Sequence, residues 1–359
     1  MSSDGLIAGW AWNSDHPERR VTVEILADGK PVAQVVAERY REDLHRQGIG
    51  DGAYGFSCAP PLSVDPERQG ISALIAGTDF RLRRAQAPSR VLRARPPLNW
   101  PPMAIELEVP ADKLVAIHDH INTTWSKLGA SEPHWSVLTH PDFRSDVFTR
   151  HSDRFHETGR KNIEDFVAVL RRSGIELTKD QTCLELGCGV GRLTAWLAPL
   201  FRQVIAADIS APHLRIAEAA VAQRGAQNVS FRRLAVLSDI DRIGPFDVFF
   251  SVIVLQHNPP PISAYLLKSI LAQMNPGGAG YFQVPTYAND YAFDAGAYLS
   301  LTKQGHNMEM HVLPQRQIFE IVYAAGCKLL EVREDDWTGN ANGISNTFLV
   351  TKPGKTVAA

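Results

Sequence analysis

The run Thr182-Cys-Leu-Glu-Leu-Gly-Cys-Gly-Val-Gly-Arg192 sets three glycines at alternate positions directly behind a short apolar stretch. A strand running into Gly187, Gly189 and Gly191, then out into the helix-like Leu193 to Leu200, makes a tight turn whose backbone can approach a ligand closely. A second apolar run, Gln203 to Ala207, ends in Asp208, 17 residues after Gly191. In a parallel sheet that carboxylate falls on the neighbouring strand end, where ribose hydroxyls are held; a helix-capping acid is the alternative. The pairing predicts a nucleotide-cofactor site in an α/β fold. A dinucleotide fingerprint needs its third glycine at position 192, which is Arg192.

Downstream, strand and helix signals alternate, with strands expected near 182–187, 203–209, 229–235, 246–253, 279–285, 327–335 and 345–351. This is the pattern of a doubly wound sheet. Ser210 and Pro212 mark a helix start and Gly225 its end; Pro314 and Gly326 bracket another. Ahead of the glycines, 110–128 and 162–172 carry apolar residues at helical spacing, and they are expected to form a cap over 103–180 beside the cofactor cleft.

Residues 1–87 read differently. Val21-Thr-Val-Glu-Ile-Leu alternates at period two and Asp28-Gly29 signals a hairpin, so a small β-rich module is expected. Trp10 and Trp12 are placed on one strand face, in the core or as an exposed stacking surface. Prolines and arginines over 88–102 suggest a stiff linker, 181–353 the catalytic domain and 354–359 a disordered tail.

The net charge of -2 and the 44% apolar content suit a globular protein without a nucleic-acid-binding surface. Cys58, Cys183, Cys188 and Cys327 lack metal-ligand or disulfide spacing. With no membrane-length apolar run and a polar start, a cytoplasmic location without direct membrane insertion is expected.

Glu185-Leu-Gly-Cys-Gly-Val-Gly191 resembles motif I of the class I S-adenosylmethionine-dependent methyltransferases. Asp208-Ile-Ser, Phe246-Asp-Val-Phe-Phe-Ser-Val-Ile and Met274-Asn-Pro-Gly-Gly extend the resemblance over roughly 162–352. It implies a Rossmann-like seven-stranded sheet whose last strand runs antiparallel, with S-adenosyl-L-methionine as cofactor. The backbone of Gly187, Cys188 and Gly189 would then receive the methionine portion, Asp208 the ribose hydroxyls, and Glu185 would orient the loop. Gly191, Ile209 and Val252 complete the expected cofactor set. Where the family often places an acid for the adenine amine this chain has Leu234-Ala-Val236, so backbone at Ala235 is expected to substitute. The N-terminal module resembles those of bacterial polysaccharide-biosynthesis proteins often fused to glycosyltransferases, which implies a glycan context.

Arg160 is placed ahead of a helix, either pairing with the cofactor carboxylate or simply exposed. A sugar hydroxyl is a weak acid, so its methylation calls for a general base. His257, after the fourth strand, is a candidate base or a structural histidine. His306, Glu309 and His311 form a second constellation, with either histidine as base and Glu309 orienting it. No single regular element aims all three at a metal, and no metal site is assigned. Tyr287, Tyr291 and Trp337 are candidates for acceptor contacts.

The resulting expectation is O-methylation of a sugar or glycan intermediate, with a glycosyltransferase as partner. The alternatives are methylation of a small-molecule amine, carboxylate or phenol, and a non-catalytic adaptor that binds the cofactor.

Overall fold

A computed structural model describes residues 7–41, 44–45, 48–59, 70–82, 100–301, 308–338 and 343–354. The chain divides into two compact units between residues 95 and 96. His306 lies outside the described residues, as do most of the expected linker and the segment 355–359.

In the first unit β1 (Ile7–Trp10) pairs antiparallel with β4 (Gly55–Cys58). β2 (Val21–Ala27) lies between β3 (Lys30–Ala37) and β5 (Ile71–Ile75) in an antiparallel sheet. Ala27 pairs with Lys30 around Asp28 and Gly29, which adopt φ of 49° and 78°. Two left-handed residues match the twist that a two-residue hairpin needs. Val23, Ile25, Ala37 and Phe56 form the core, but Trp10 is 42% exposed and Trp12, beyond the end of β1, is half-buried. The two tryptophans therefore do not share a strand face in the core. Trp10 sits opposite Gly55, which offers no side chain to cover it.

The second unit centres on seven strands, in the order β13 (Lys328–Asp335), β14 (Gly343–Thr351), β11 (Met274–Ala288), β10 (Phe246–Ser251), β7 (Thr182–Leu186), β8 (Gln203–Asp208), β9 (Val229–Arg233). β14 is antiparallel to both its neighbours, and the pairs from β11 to β9 are parallel. Every residue of β7 is buried, as expected for a central parallel strand covered on both faces. The chain leaves β7 to one side for β8 and returns on the other for β10. The cleft between their carboxyl ends is the switch point at which open α/β sheets bind ligands.

Among the described residues of the second unit, three α-helices precede β7: α1 (Ala111–Ser131), α2 (Pro133–Val137) and α3 (Ser152–Arg172). The third begins ten residues before the expected start at 162, because its stripe continues upstream through Phe155 and Gly159 to meet Ile163, Phe166 and Leu170. Gly159 conceals that stripe in the sequence. A Cβ there would stand 2.3 Å from the Arg192 carbonyl oxygen, so the glycine lets α3 lie directly on the loop after β7. α4 (Thr194–Leu197) and α5 (Ala211–Gln223) follow β7 and β8, α6 (Pro260–Gln273) joins β10 to β11, and α8 (Gln315–Ala324) precedes β13. Between β11 and α8, a short strand β12 (Ala292–Phe293) pairs in parallel with β6 (Ala104–Ile105), and α7 (Ala295–Leu301) follows.

Candidate functional site

The turn after β7 is built on left-handed backbone at Gly187 (φ 74°), Gly189 (52°) and Gly191 (81°). The glycines do different work. A Cβ on Gly187 would strike Val254 at 2.2 Å and one on Gly189 would strike Val137 of α2 at 2.7 Å, so both sit under packed side chains. Gly191 faces α5 instead, where a Cβ would come 3.2 Å from Ala217 Cα. It serves packing of the loop and stands outside the cleft lining.

Asp208, 8% exposed, ends β8 and ties the turn to it. Its Oδ2 accepts from Gly189 N and its Oδ1 from Ser210 N, both at 2.8 Å. The cap of α5 is supplied by Ser210, which accepts from His213 N. Each Asp208 oxygen keeps a second lone pair.

Glu185 is fully buried on β7, with Oε2 accepting from Thr194 Oγ1 at 2.6 Å and Oε1 unpartnered. Burial raises its carboxyl to about 7. Arg192, 3% exposed, lines the cleft. Its Nη1 donates to Thr158 Oγ1 at 3.1 Å and Asn162 Oδ1 at 2.8 Å, while Nε has no partner. Burial lowers its pKa to about 10.

The opposite wall comes from the segment after β10. Ile253 adopts φ 60°, a strained conformation for a β-branched residue. Its amide donates to Gln283 Oε1 at 3.0 Å, and Gln283 is held in turn by Ser345 at 2.8 Å. His257 lines the cleft at 6% exposure, its ring 5.1 Å from that of Trp125. Its Nδ1 lies 2.7 Å from the Glu309 carbonyl oxygen. A carbonyl only accepts, so Nδ1 carries the hydrogen and Nε2 a lone pair, towards which the Gln256 amide donates at 3.2 Å. Burial lowers His257 to about 4, which keeps it neutral at physiological pH.

These walls enclose about 660 Å³ including the mouth. Gly187, Cys188, Gly189, Asp208, Val252 and His257 contribute from the sequence-derived set. Arg160 does not: it stands mid-helix on α3, 47% exposed at its side chain, and pairs with Glu157 and Glu164 one turn away on either side. The helical stripe that runs past Gly159 turns Arg160 to the outer face. Ile209 packs against the core, and the Ala235 carbonyl accepts from Asn122 Nδ2 at 3.1 Å, so neither lines the cleft.

His311 and Glu309 also stand outside the lining. His311 Nε2 is 3.0 Å from Glu309 Oε2 and its Nδ1 is 2.9 Å from Tyr291 Oη, so both ring nitrogens are engaged. Glu309 additionally accepts from Tyr298 at 2.7 Å. Burial pushes the Glu309 carboxyl up, but these hydrogen bonds outweigh it and hold it below its ordinary value. Glu309 reaches the cleft only through its carbonyl on His257. Tyr287 and Tyr291 line a separate hollow of about 320 Å³ with His311 and Met310. Tyr287 stacks on Trp100 and donates to the Pro101 carbonyl at 2.6 Å. Trp337 is half-buried and lines neither space. Trp125, Ser136, Val137, Arg192 and His213 were not expected in the site. The helical stripe around Trp125 and the arginine replacing a glycine were the signals available.

Residues 183–278 match the family described as a methyltransferase domain. The chain is 30% identical over 120 residues to a protein-L-isoaspartate O-methyltransferase of Myxococcus xanthus, covering 33% of this chain and 53% of that protein. It is 29% identical over 103 residues to a ubiquinone biosynthesis O-methyltransferase of Albidiferax ferrireducens, covering 28% and 40% respectively. The chain thus spans about half or less of the length of the curated relatives it matches. Among solved structures, it is similar to magnesium protoporphyrin IX methyltransferase from Synechocystis with bound S-adenosylmethionine, at TM-score 0.44 and 17% identity, over 68% of this chain and 98% of that one. It is also similar to the N-methyltransferase NodS of Bradyrhizobium japonicum, at TM-score 0.42 and 16% identity, over 66% and 100%. Among the described residues no helix is long and apolar enough to cross a membrane. The segment 183–278 is thus similar in sequence to methyltransferase domains.

Proposed function

We propose that this chain methylates a hydroxyl oxygen of a small acceptor, with His257 as the proton acceptor. The observation that carries the reading is the tautomer fixed by the Glu309 carbonyl, which leaves in the cleft lining a neutral imidazole whose Nε2 lone pair accepts only from the Gln256 amide. The cofactor is consistent with the residues present. Gly187, Cys188 and Gly189 line the cleft, and Asp208 keeps a free lone pair on each oxygen for vicinal hydroxyls. S-adenosylmethionine, when bound, supplies an electrophilic methyl on a sulfonium.

The protein's own contribution is alignment and proton removal. The acceptor oxygen becomes acidic as it forms its new bond to carbon, so a base lowered to about 4 can still take its proton at Nε2. A hydroxyl there replaces the long Gln256 contact. The Glu309 carbonyl holds the ring in place and stabilises the charge that develops on Nδ1–H.

A sugar or glycan acceptor, with a glycosyltransferase partner, rests on the resemblance of the N-terminal module alone. A phenolic acceptor is the second reading, and the walls around His257 favour it. Ile121, Trp125, Val252, Ile253 and Val254 are apolar, with Asn258, Ser136, His213, Arg192 and Asp208 as the further polar side chains of the cleft. Several sugar hydroxyls buried against those apolar side chains would lack partners, each costing about 1–3 kcal/mol. The test is methyl transfer from labelled cofactor to matched panels of sugars, phenols and amines. Labelling of a hydroxyl acceptor that His257→Ala abolishes supports the proposal; labelling confined to amines overturns it.

A further inference from the structure

We propose that Arg192 receives the α-carboxylate of the cofactor on the Nε–Nη2 edge of its guanidinium, an assignment that rests on reading the cleft as the S-adenosylmethionine site. A guanidinium has five N–H donors. The two on Nη1 are spent on the neutral oxygens of Thr158 and Asn162. Nε is buried without a partner, and the side-chain hydrogen bonds that Arg192 makes among the described residues all leave from Nη1. The free edge is therefore the side that presents two parallel N–H groups, the geometry that matches the two oxygens of a carboxylate.

The electrostatics point the same way. A buried cation calls for an anion, and among the described residues no carboxylate forms an ion pair with Arg192. Glu185 attracts it from a distance, but that carboxyl bonds Thr194. Asp208 is committed to the amides of Gly189 and Ser210. The side chain lines the same cleft as Gly187, Gly189 and Asp208. In S-adenosylmethionine and S-adenosylhomocysteine the α-carboxylate is the sole anionic group.

The arginine is also held in place beforehand. Thr158 and Asn162 lie one turn apart on α3, and Gly159 between them lets that helix touch the Arg192 backbone. Fixing the guanidinium before the ligand arrives lowers the ordering cost of binding.

The test is calorimetric titration of the full chain with S-adenosylhomocysteine and with 5′-methylthioadenosine, which keeps the adenosine and sulfur but lacks the amino-acid end. Wild type, Arg192→Met and Arg192→Lys are compared, with thermal melts alongside. We expect Arg192→Met to weaken S-adenosylhomocysteine about 10- to 100-fold and to leave methylthioadenosine unchanged, with Arg192→Lys in between. With no acceptor present, that outcome assigns the carboxylate to the cofactor. Equal weakening of both ligands, or of neither, overturns the assignment. If the methionine variant does not fold, the lysine variant decides: its preference for S-adenosylhomocysteine over methylthioadenosine must fall. A wild type that binds neither ligand overturns the cofactor reading, and this assignment with it.

Discussion

The two walls of the cleft are assembled in opposite ways. On the side of β7 and β8, Gly187, Gly189 and Asp208 lie close in sequence, and their geometry is fixed by bonds among themselves and with Ser210. On the side of β10, His257 owes its tautomer to a carbonyl 52 residues away, and Ile253 owes its strained backbone to Gln283, 30 residues away. A locally built wall holds a ligand with few demands on the rest of the chain. A wall built from distant parts can change its chemistry whenever the region after β11 changes.

The largest effect is expected at the distant wall. His257→Ala removes the lone pair proposed to receive the acceptor proton, and turnover should fall by about 100-fold or more while S-adenosylhomocysteine affinity stays near wild type. Full turnover in steady-state assays would reduce His257 to a packing residue. Asp208→Ala tests the local wall, since it releases two backbone amides as well as the proposed ribose contact. Losing even one charge-assisted bond of about 1.5–3 kcal/mol weakens binding about 10- to 100-fold, measured by calorimetry with NADH as control ligand. If Asp208→Ala lowered turnover at saturating cofactor while leaving affinity intact, the division of labour between the walls would be wrong.

The same contrast explains what the sequence could tell. The glycine run, Asp208 and the strand alternation are local patterns whose geometry follows from spacing, so the sheet and the glycine-lined side of the cleft were legible. The partner of His257 was not, because nothing near position 257 signals a carbonyl from position 309. Glu309 and His311 stood out as titratable neighbours, but the structure has them satisfy each other and two tyrosines. Of the two readings of Arg160 the structure has the exposed one, on a helix whose upstream stripe Gly159 interrupts in the sequence, and Arg192 stood out only as the residue that breaks the dinucleotide fingerprint.

Glu309→Gln separates support from chemistry at the distant wall. Its carboxylate bonds His311 and Tyr298, whereas its carbonyl, which the substitution keeps, holds His257. The melting temperature should therefore drop by an amount matching about 1–3 kcal/mol, with turnover reduced far less than in His257→Ala. Equal losses of turnover in the two variants would make the carboxylate part of the proton path.

Acidification should act on His134, His156 and His257 and on Glu185 in opposite senses. Burial lowers His134, His156 and His257 to about 4, below the ordinary value near 6.5. Between those values the unfolded chain binds more protons, so this stability is whole above about 6.5 and is lost as pH falls towards about 4. Glu185, raised to about 7, works the other way and loses stability as pH rises from about 4.5 to about 7. Three groups oppose one, so denaturant midpoints should fall on acidification below about 6.5. His257→Ala should flatten that slope, and Glu185→Gln should steepen it.

The smallest effect is expected at Arg160. Its pairs with Glu157 and Glu164 are exposed, and pairs at such helical spacing contribute about 0.3–0.5 kcal/mol. Arg160→Ala should shift the melting temperature slightly and leave S-adenosylhomocysteine affinity unchanged. The comparison with Arg192 is the informative part: two arginines flank the same helix-to-loop contact, one paired with acids in solvent and one buried without them. If Arg160→Ala weakened cofactor binding as strongly as Arg192→Met, α3 would have to turn its outer face towards the ligand on binding, and the cleft would be assembled by a helix movement rather than held ready by the glycine contact at position 159.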